Sequence, residues 1–107
     1  MNRVQLESEI EEKHRDIART NGWFVEKIMR TGRNGFPDRF YAKAGRVVLI
    51  EFKRPRGRIT QQQLRRHDEL RAAGVEVRIV YSLTEAELVL RMDNRDRRVA
   101  DTGTVDL

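Results

Sequence analysis

The feature that most constrains this chain is the run Val47-Val48-Leu49-Ile50, which passes without a break into Glu51-Phe52-Lys53. Successive side chains on a strand point to opposite faces, so four consecutive aliphatic residues need cover on both. A strand covered on both faces is a central strand, with neighbours beside it and helices above and below. Its end is the puzzle. Glu51 and Lys53 stand two apart, hence on one face, at the place where the interior would be expected to continue.

The remaining elements arrange themselves around that strand. Leu6, Ile10, Ile17 and Ala18 recur at helical spacing, so residues 5–20 read as an amphipathic helix stopped by Asn21-Gly22. Residues 23–29, "WFVEKIM", form a short strand candidate, and "RTGRNG" (30–35) a basic, glycine-bearing loop. "RFYAK" leads through a tight turn at Ala44-Gly45 into the central strand. Pro55 and Gly57 end that strand, and Thr60 caps a helix to about Ala73. "VEVRIVY" (75–81) alternates as a strand, and Thr84 with Glu87 reads as the capping box of a last helix to about Met92. The order is α-β-β-β-α-β-α, an α/β fold whose hairpin and strand-helix-strand crossover imply a mixed sheet flanked by helices.

The chain's 107 residues suffice for one domain with one core, about residues 5–92, followed by a polar tail over 93–107. No apolar run reaches membrane-spanning length and no signal-peptide pattern opens the chain, so a membrane partner is not expected. The absence of cysteine excludes a disulfide framework and thiolate zinc sites, and fits a reducing cytoplasm. Residues 46–71 carry eight Lys/Arg against three acids, a surplus equal to the formal net charge of +5. Such a stripe is the footprint of a protein that meets phosphates, or equally a solvated arginine-rich surface.

Asp38 follows the Pro37 corner at the start of one hairpin strand, and Glu51 lies near the end of the next. A tight turn between the two strands brings those ends together. Two adjacent carboxylates repel unless a proton or cation lies between them. Oxygen donors without cysteine point to a hard ion, Mg²⁺ or Mn²⁺. Flanked by a basic stripe, such an ion suits phosphodiester cleavage, with Lys53 orienting the attacking water or stabilising charge at phosphorus. Glu7 and Glu11 share a helix face beside the Leu6/Ile10 stripe, so either can lean over the strand ends, whereas Glu9 and Glu12 read as solvated. The amides of Gln61, Gln62 and Gln63 can hold a phosphate or water there, or be the polar first turn of any surface helix.

The ordered series Glu11, "GFPD" (35–38), "IEFKRP" (50–55), "TQQQ" (60–63) and "LRAAG" (70–74) resembles the viral replication-and-repair nuclease (VRR-NUC) family of the PD-(D/E)XK nuclease superfamily. Glu7-x-x-Ile10-Glu11 and Lys27 match as well, so the resemblance spans roughly residues 5–90. It implies a restriction-endonuclease-like core and catalytic residues Asp38, Glu51, Lys53, Glu11 and Gln63. The implied ligands of Mg²⁺ or Mn²⁺ are Glu11, Asp38, Glu51 and the backbone carbonyl of Phe52, with Glu7 in reserve for Glu11. Stand-alone members of this size look like homodimeric, structure-selective DNA endonucleases, some of them Holliday-junction resolvases of DNA repair. A bacterial or phage-infected cell's cytoplasm is the corresponding setting.

Phosphate contacts are expected from Arg30, Arg33 and Arg39 around the metal end, then from Arg54, Arg56 and Arg58 after Lys53, with Lys27 nearby. Trp23 and Phe24 read as core or dimer packing rather than as a base-stacking pair. His14 and His67 fall on what read as polar helix surfaces, without a spaced partner. Three other readings remain: a nuclease of flaps, ends or nonspecific duplex, a DNA-binding module without catalysis, and an acidic pocket that binds metal only for stability.

Overall fold

The computed structural model of the chain describes residues 3–29 and 35–91, with the side chains of residues 3–7 outside that description. The elements are α1 (Arg3–Thr20), β1 (Phe24–Lys27), β2 (Arg39–Lys43), β3 (Arg46–Phe52), α2 (Gln61–Ala72), β4 (Glu76–Val80) and α3 (Leu83–Arg91). Their order is the expected α-β-β-β-α-β-α. One sheet runs β1-β2-β3-β4. β1, β2 and β3 pair antiparallel, and β4 joins β3 in parallel after the α2 crossover. The aliphatic run is therefore central, as its continuity requires.

The β2–β3 hairpin turns at Ala44 (φ 50°) and Gly45 (φ 83°). Two consecutive positive φ values are what a two-residue hairpin needs to follow the right-handed twist of its strands. The turn fixes a register in which Tyr41 lies opposite Val48 and Arg39 opposite Ile50. Val25, Tyr41, Val48, Ile50, Phe52 and Val80 consequently share one face, where they form a single buried cluster with Ala18, Trp23 and Ala86. Helices α1 and α3 cover it, with Ile10, Val89 and Leu90 packed at its margin. Each large apolar side chain withdrawn from water here contributes roughly 1.5–3 kcal/mol. The opposite face, bearing Leu49, Glu51 and Val77, lies beneath α2.

The α1/α3 face also buries polar groups. His14 Nδ1 lies 2.8 Å from the Tyr41 hydroxyl, both residues being wholly buried. His14 is thus not on a polar surface. It stands one turn from both Ile10 and Ala18, inside the apolar stripe, and desolvation lowers its pKa to about 4 despite the attraction of Glu87. Trp23 is core, whereas Phe24 stays largely exposed with its ring edge-on to Phe40. The last helix also begins earlier than its sequence suggests. Ser82 Oγ, not Thr84, accepts the capping bond, from the Glu85 N–H at 3.1 Å. Residues 93–107, expected as a tail, lie outside the described residues.

Candidate active site

The end of β3 meets the start of β2, and Asp38 is anchored there from three directions. Its N–H donates to Ile50 O (3.1 Å), its carbonyl accepts from the Ile28 N–H (2.8 Å), and its Oδ2 accepts from the Phe52 N–H (2.8 Å). The last bond ties the carboxylate to the backbone of the strand that carries Glu51. Pro37, fully buried, supplies the rigid corner immediately before it.

Glu51 is buried at 3% relative exposure. Its Oε2 accepts from Gln63 Nε2 at 3.1 Å and lies 3.6 Å from Lys53 Nζ. Burial, then the facing Asp38 carboxylate, push its pKa from 4.5 up to about 8, against the pull of Lys53. The Lys53 ammonium does not offset the burial of Glu51 and the charge of Asp38. The other oxygen, Oε1, has no hydrogen-bond partner and stands 3.9 Å from His67 Nε2. His67 was expected at a solvated surface. Instead it is wholly buried beneath α2, because this helix turns a polar face toward the strand end. The signal was in the sequence: Gln63 and His67 are four apart, so a face carrying one carries the other.

The first turn of α2 is built to present Gln63. Thr60 Oγ1 accepts from the Gln63 N–H (3.1 Å), and Gln63 Oε1 in turn accepts from the Thr60 N–H (3.0 Å). This capping box claims the amide oxygen and leaves the amide NH₂ facing Glu51. A helix cap thereby sets the orientation of a site residue. Gly35 holds the turn in place. Its φ is +94°, and a Cβ there would lie 2.5 Å from Gln62 O and 2.8 Å from Gln62 C. Only glycine lets the Asp38 loop and the α2 backbone approach so closely.

Asp38, Glu51, Lys53 and Gln63 therefore converge at one end of the sheet, with the Phe52 backbone between them. Glu11 stands apart from this group. Its Oε1 accepts from Arg39 Nε at 2.8 Å, in a largely buried ion pair on the α1 side. Alternation along β2 turns Arg39 toward that helix, so it is 6% exposed rather than set out for phosphate. The side chain of Glu7 lies outside the description, as do Arg30 and Arg33. Lys27 is exposed at the end of β1, opposite Arg39. Arg56 and Arg58 are exposed and Arg54 half-buried, following directly on Lys53. Among the described residues no group of three or more His, Cys, Asp or Glu side chains stands close enough to hold a metal. Among those residues, two carboxylates, Asp38 and Glu51, stand at the strand end.

The VRR-NUC domain family matches this chain over residues 3–83. The chain is 35% identical over 81 residues to the protein named "Putative nuclease p44" of Acyrthosiphon pisum secondary endosymbiont phage 1, across 75% of this chain and 87% of that one. A solved VRR-NUC domain shares its fold with a TM-score of 0.71 at 24% identity, covering 78% of this chain and 92% of that domain.

Proposed function

This chain belongs to the VRR-NUC domain family, a family of nucleases that use a divalent cation, and from that premise we propose that it is a Mg²⁺- or Mn²⁺-dependent endonuclease of branched DNA. The observation that carries the reading is Glu51, buried against the Asp38 carboxylate at the end of β3, its pKa raised despite Lys53 and its Oε1 without a hydrogen bond. A buried carboxylate facing a second one is the condition a cation relieves.

These residues fit a small hard ion: two carboxylates and the Phe52 carbonyl would hold it, with Glu11 or Glu7 of α1 as the further ligand the family resemblance implies. When bound, the ion supplies charge neutralisation at the phosphate and makes nearby water more acidic. The chain's own groups do the rest. Gln63 fixes the Glu51 carboxylate, and the Phe52 N–H fixes that of Asp38. Lys53, half-buried, orients the attacking water and places a positive charge beside the phosphate as it gains negative charge. Hydrolysis forms a P–O bond to that water, breaks the P–O bond to the departing sugar oxygen, and delivers a water proton to that oxygen through solvent. Arg54, Arg56 and Arg58 continue the strand end outward as a rail for the DNA backbone, with Lys27, Arg30 and Arg33 as further phosphate contacts.

Two copies related by a two-fold axis suit paired nicks in a symmetric four-way junction, so a homodimeric resolvase is the specific form of the proposal. No described helix is long and apolar enough to cross a membrane, and the cytoplasm of a bacterial or phage-infected cell is the proposed setting. The test is cleavage of labelled four-way junction and matched linear duplex in Mg²⁺, Mn²⁺ or EDTA, by wild type, Asp38→Asn and Lys53→Ala. Cutting of the junction alone, abolished by EDTA and lowered on the order of 10²–10³-fold in either variant, is expected. Equal cutting of both substrates replaces the resolvase with a nuclease of broader preference. Junction binding without cutting in either ion replaces the enzyme with a binding module.

A further inference from the structure

Three polar atoms beneath α2 are buried without a hydrogen-bond partner: Glu51 Oε1 and both ring nitrogens of His67. Buried polar groups are almost always paired, so a cluster of exceptions points to strain or to a group that completes the site. His67 Nε2 faces Glu51 Oε1 at 3.9 Å, about 1 Å beyond hydrogen-bonding length. Either ring nitrogen of an imidazole can carry an N–H and aim it at a carboxylate.

Gln63 and His67 lie one helical turn apart on the same face of α2, and Gln63 already holds Oε2. We propose that His67 is a positioning residue for Glu51, its Nε2–H taking Oε1 as Gln63 takes Oε2, so that α2 fixes the plane of the carboxylate toward a divalent cation. This rests on the metal-dependent reading above. A carboxylate held at one oxygen turns freely about its last torsion, a broad two-fold well, and one held at both does not. Partners that orient a metal-ligating group in this way typically change metal affinity 10–100-fold.

The experiment combines calorimetric Mn²⁺ binding to wild type, His67→Leu and His67→Gln with long-range ¹H–¹⁵N NMR of the His67 ring in the Mg²⁺-loaded wild type. Affinity should fall about tenfold or more in His67→Leu, recover in large part in His67→Gln, and the ring proton should reside on Nε2. Unchanged Mn²⁺ affinity in a folded His67→Leu overturns the proposal, and so does an Nε2 without its proton in the Mg²⁺-loaded protein. The NMR measurement uses no variant, so it decides the matter where His67→Leu does not fold. A wild type that binds neither ion overturns the metal-dependent reading itself, a result distinct from either of those.

Discussion

Glu51 and Glu76 sit on adjacent strands, their side chains equally buried at 4%, and their surroundings are opposites. Glu76 is enclosed by positive charge. Arg46 grips both of its oxygens, at 3.1 and 2.9 Å, and Arg78 adds a third contact at 3.0 Å. Glu51 has one ammonium at 3.6 Å, one amide, and another carboxylate facing it. The fold can neutralise a buried acid thoroughly, and does so where the acid serves architecture. At the end of β3 it leaves the acid short of charge, which favours a proton or a cation. The difference separates a structural glutamate from a candidate catalytic one without reference to any motif.

The largest effect that should expose this contrast comes from Glu76→Ala. It removes the carboxylate that Arg46 and Arg78 share, and breaking such a pair costs about 3–5 kcal/mol. Urea unfolding should show that loss, while cleavage per folded molecule stays near wild type. An equal loss of cleavage would mean that the two glutamates are not functionally distinct.

Gly35→Ala comes next and strikes the site through the backbone. A left-handed φ costs an alanine about 1–2 kcal/mol, and the overlap with Gln62 adds roughly 1–3 kcal/mol. Gly45→Ala is the control, with φ +83° but nothing within 4 Å of the new Cβ. It should lose only about 1 kcal/mol of stability and no activity, whereas Gly35→Ala should also lose cleavage because Gln63 moves with the α2 turn. Similar activity losses in the two variants would remove Gly35 from the site's construction.

The pH dependence of stability isolates Glu51 by its sign. Glu51's pKa is raised to about 8, so the folded protein keeps a proton that the unfolded chain releases above about pH 4.5. Its contribution is fully present below that pH and is lost as pH rises through about 8. In EDTA, stability should therefore fall across pH 5–8, by at most about 1.4 kcal/mol per pH unit from this group. Glu51→Gln should flatten the slope, as should saturating Mg²⁺, and metal affinity should rise over the same interval because cation and proton compete. A slope unchanged in Glu51→Gln would assign the titration elsewhere.

Much of this arrangement was legible in the sequence, and what was not has a physical cause. Val47–Ile50 announced a central strand, Ala44-Gly45 its hairpin and Thr60 the α2 cap, because each is a local rule with a local signal. The meeting of Asp38 with the Glu51 end followed from the hairpin alone. The two histidines did not read correctly, because hydrophobic periodicity is blind to a polar residue in a buried position. His14 fills a place in the apolar stripe between Ile10 and Ala18, and His67 fills one on a helix whose Leu64 is 41% exposed. Arg39 and Glu11 were each assigned a separate role, and their mutual pairing depends on which face of β2 meets α1. That is a tertiary fact no spacing rule carries. Composition likewise treats all arginines alike, although Arg39 and Arg46 are buried in ion pairs while Arg56 and Arg58 are exposed.

That division of the arginines yields the smallest predicted effect. Arg58 is exposed, seven residues beyond Glu51. If the charge rail is a set of individually weak phosphate contacts, Arg58→Ala should weaken DNA binding only about threefold in moderate salt, since each contact adds roughly 0.9 to the slope of log affinity against log salt. That slope should fall by about one, and the cleavage rate of saturated enzyme should not change. Arg46→Ala provides the opposite profile, because its guanidinium serves Glu76 and packs 5.8 Å above the Trp23 ring. It should lose stability and leave the salt slope intact. A salt slope that falls with Arg46 and not with Arg58 would place the DNA path across the α1/α3 side of the sheet, away from Asp38 and Glu51, and would separate the basic stripe from the chemistry at the end of β3.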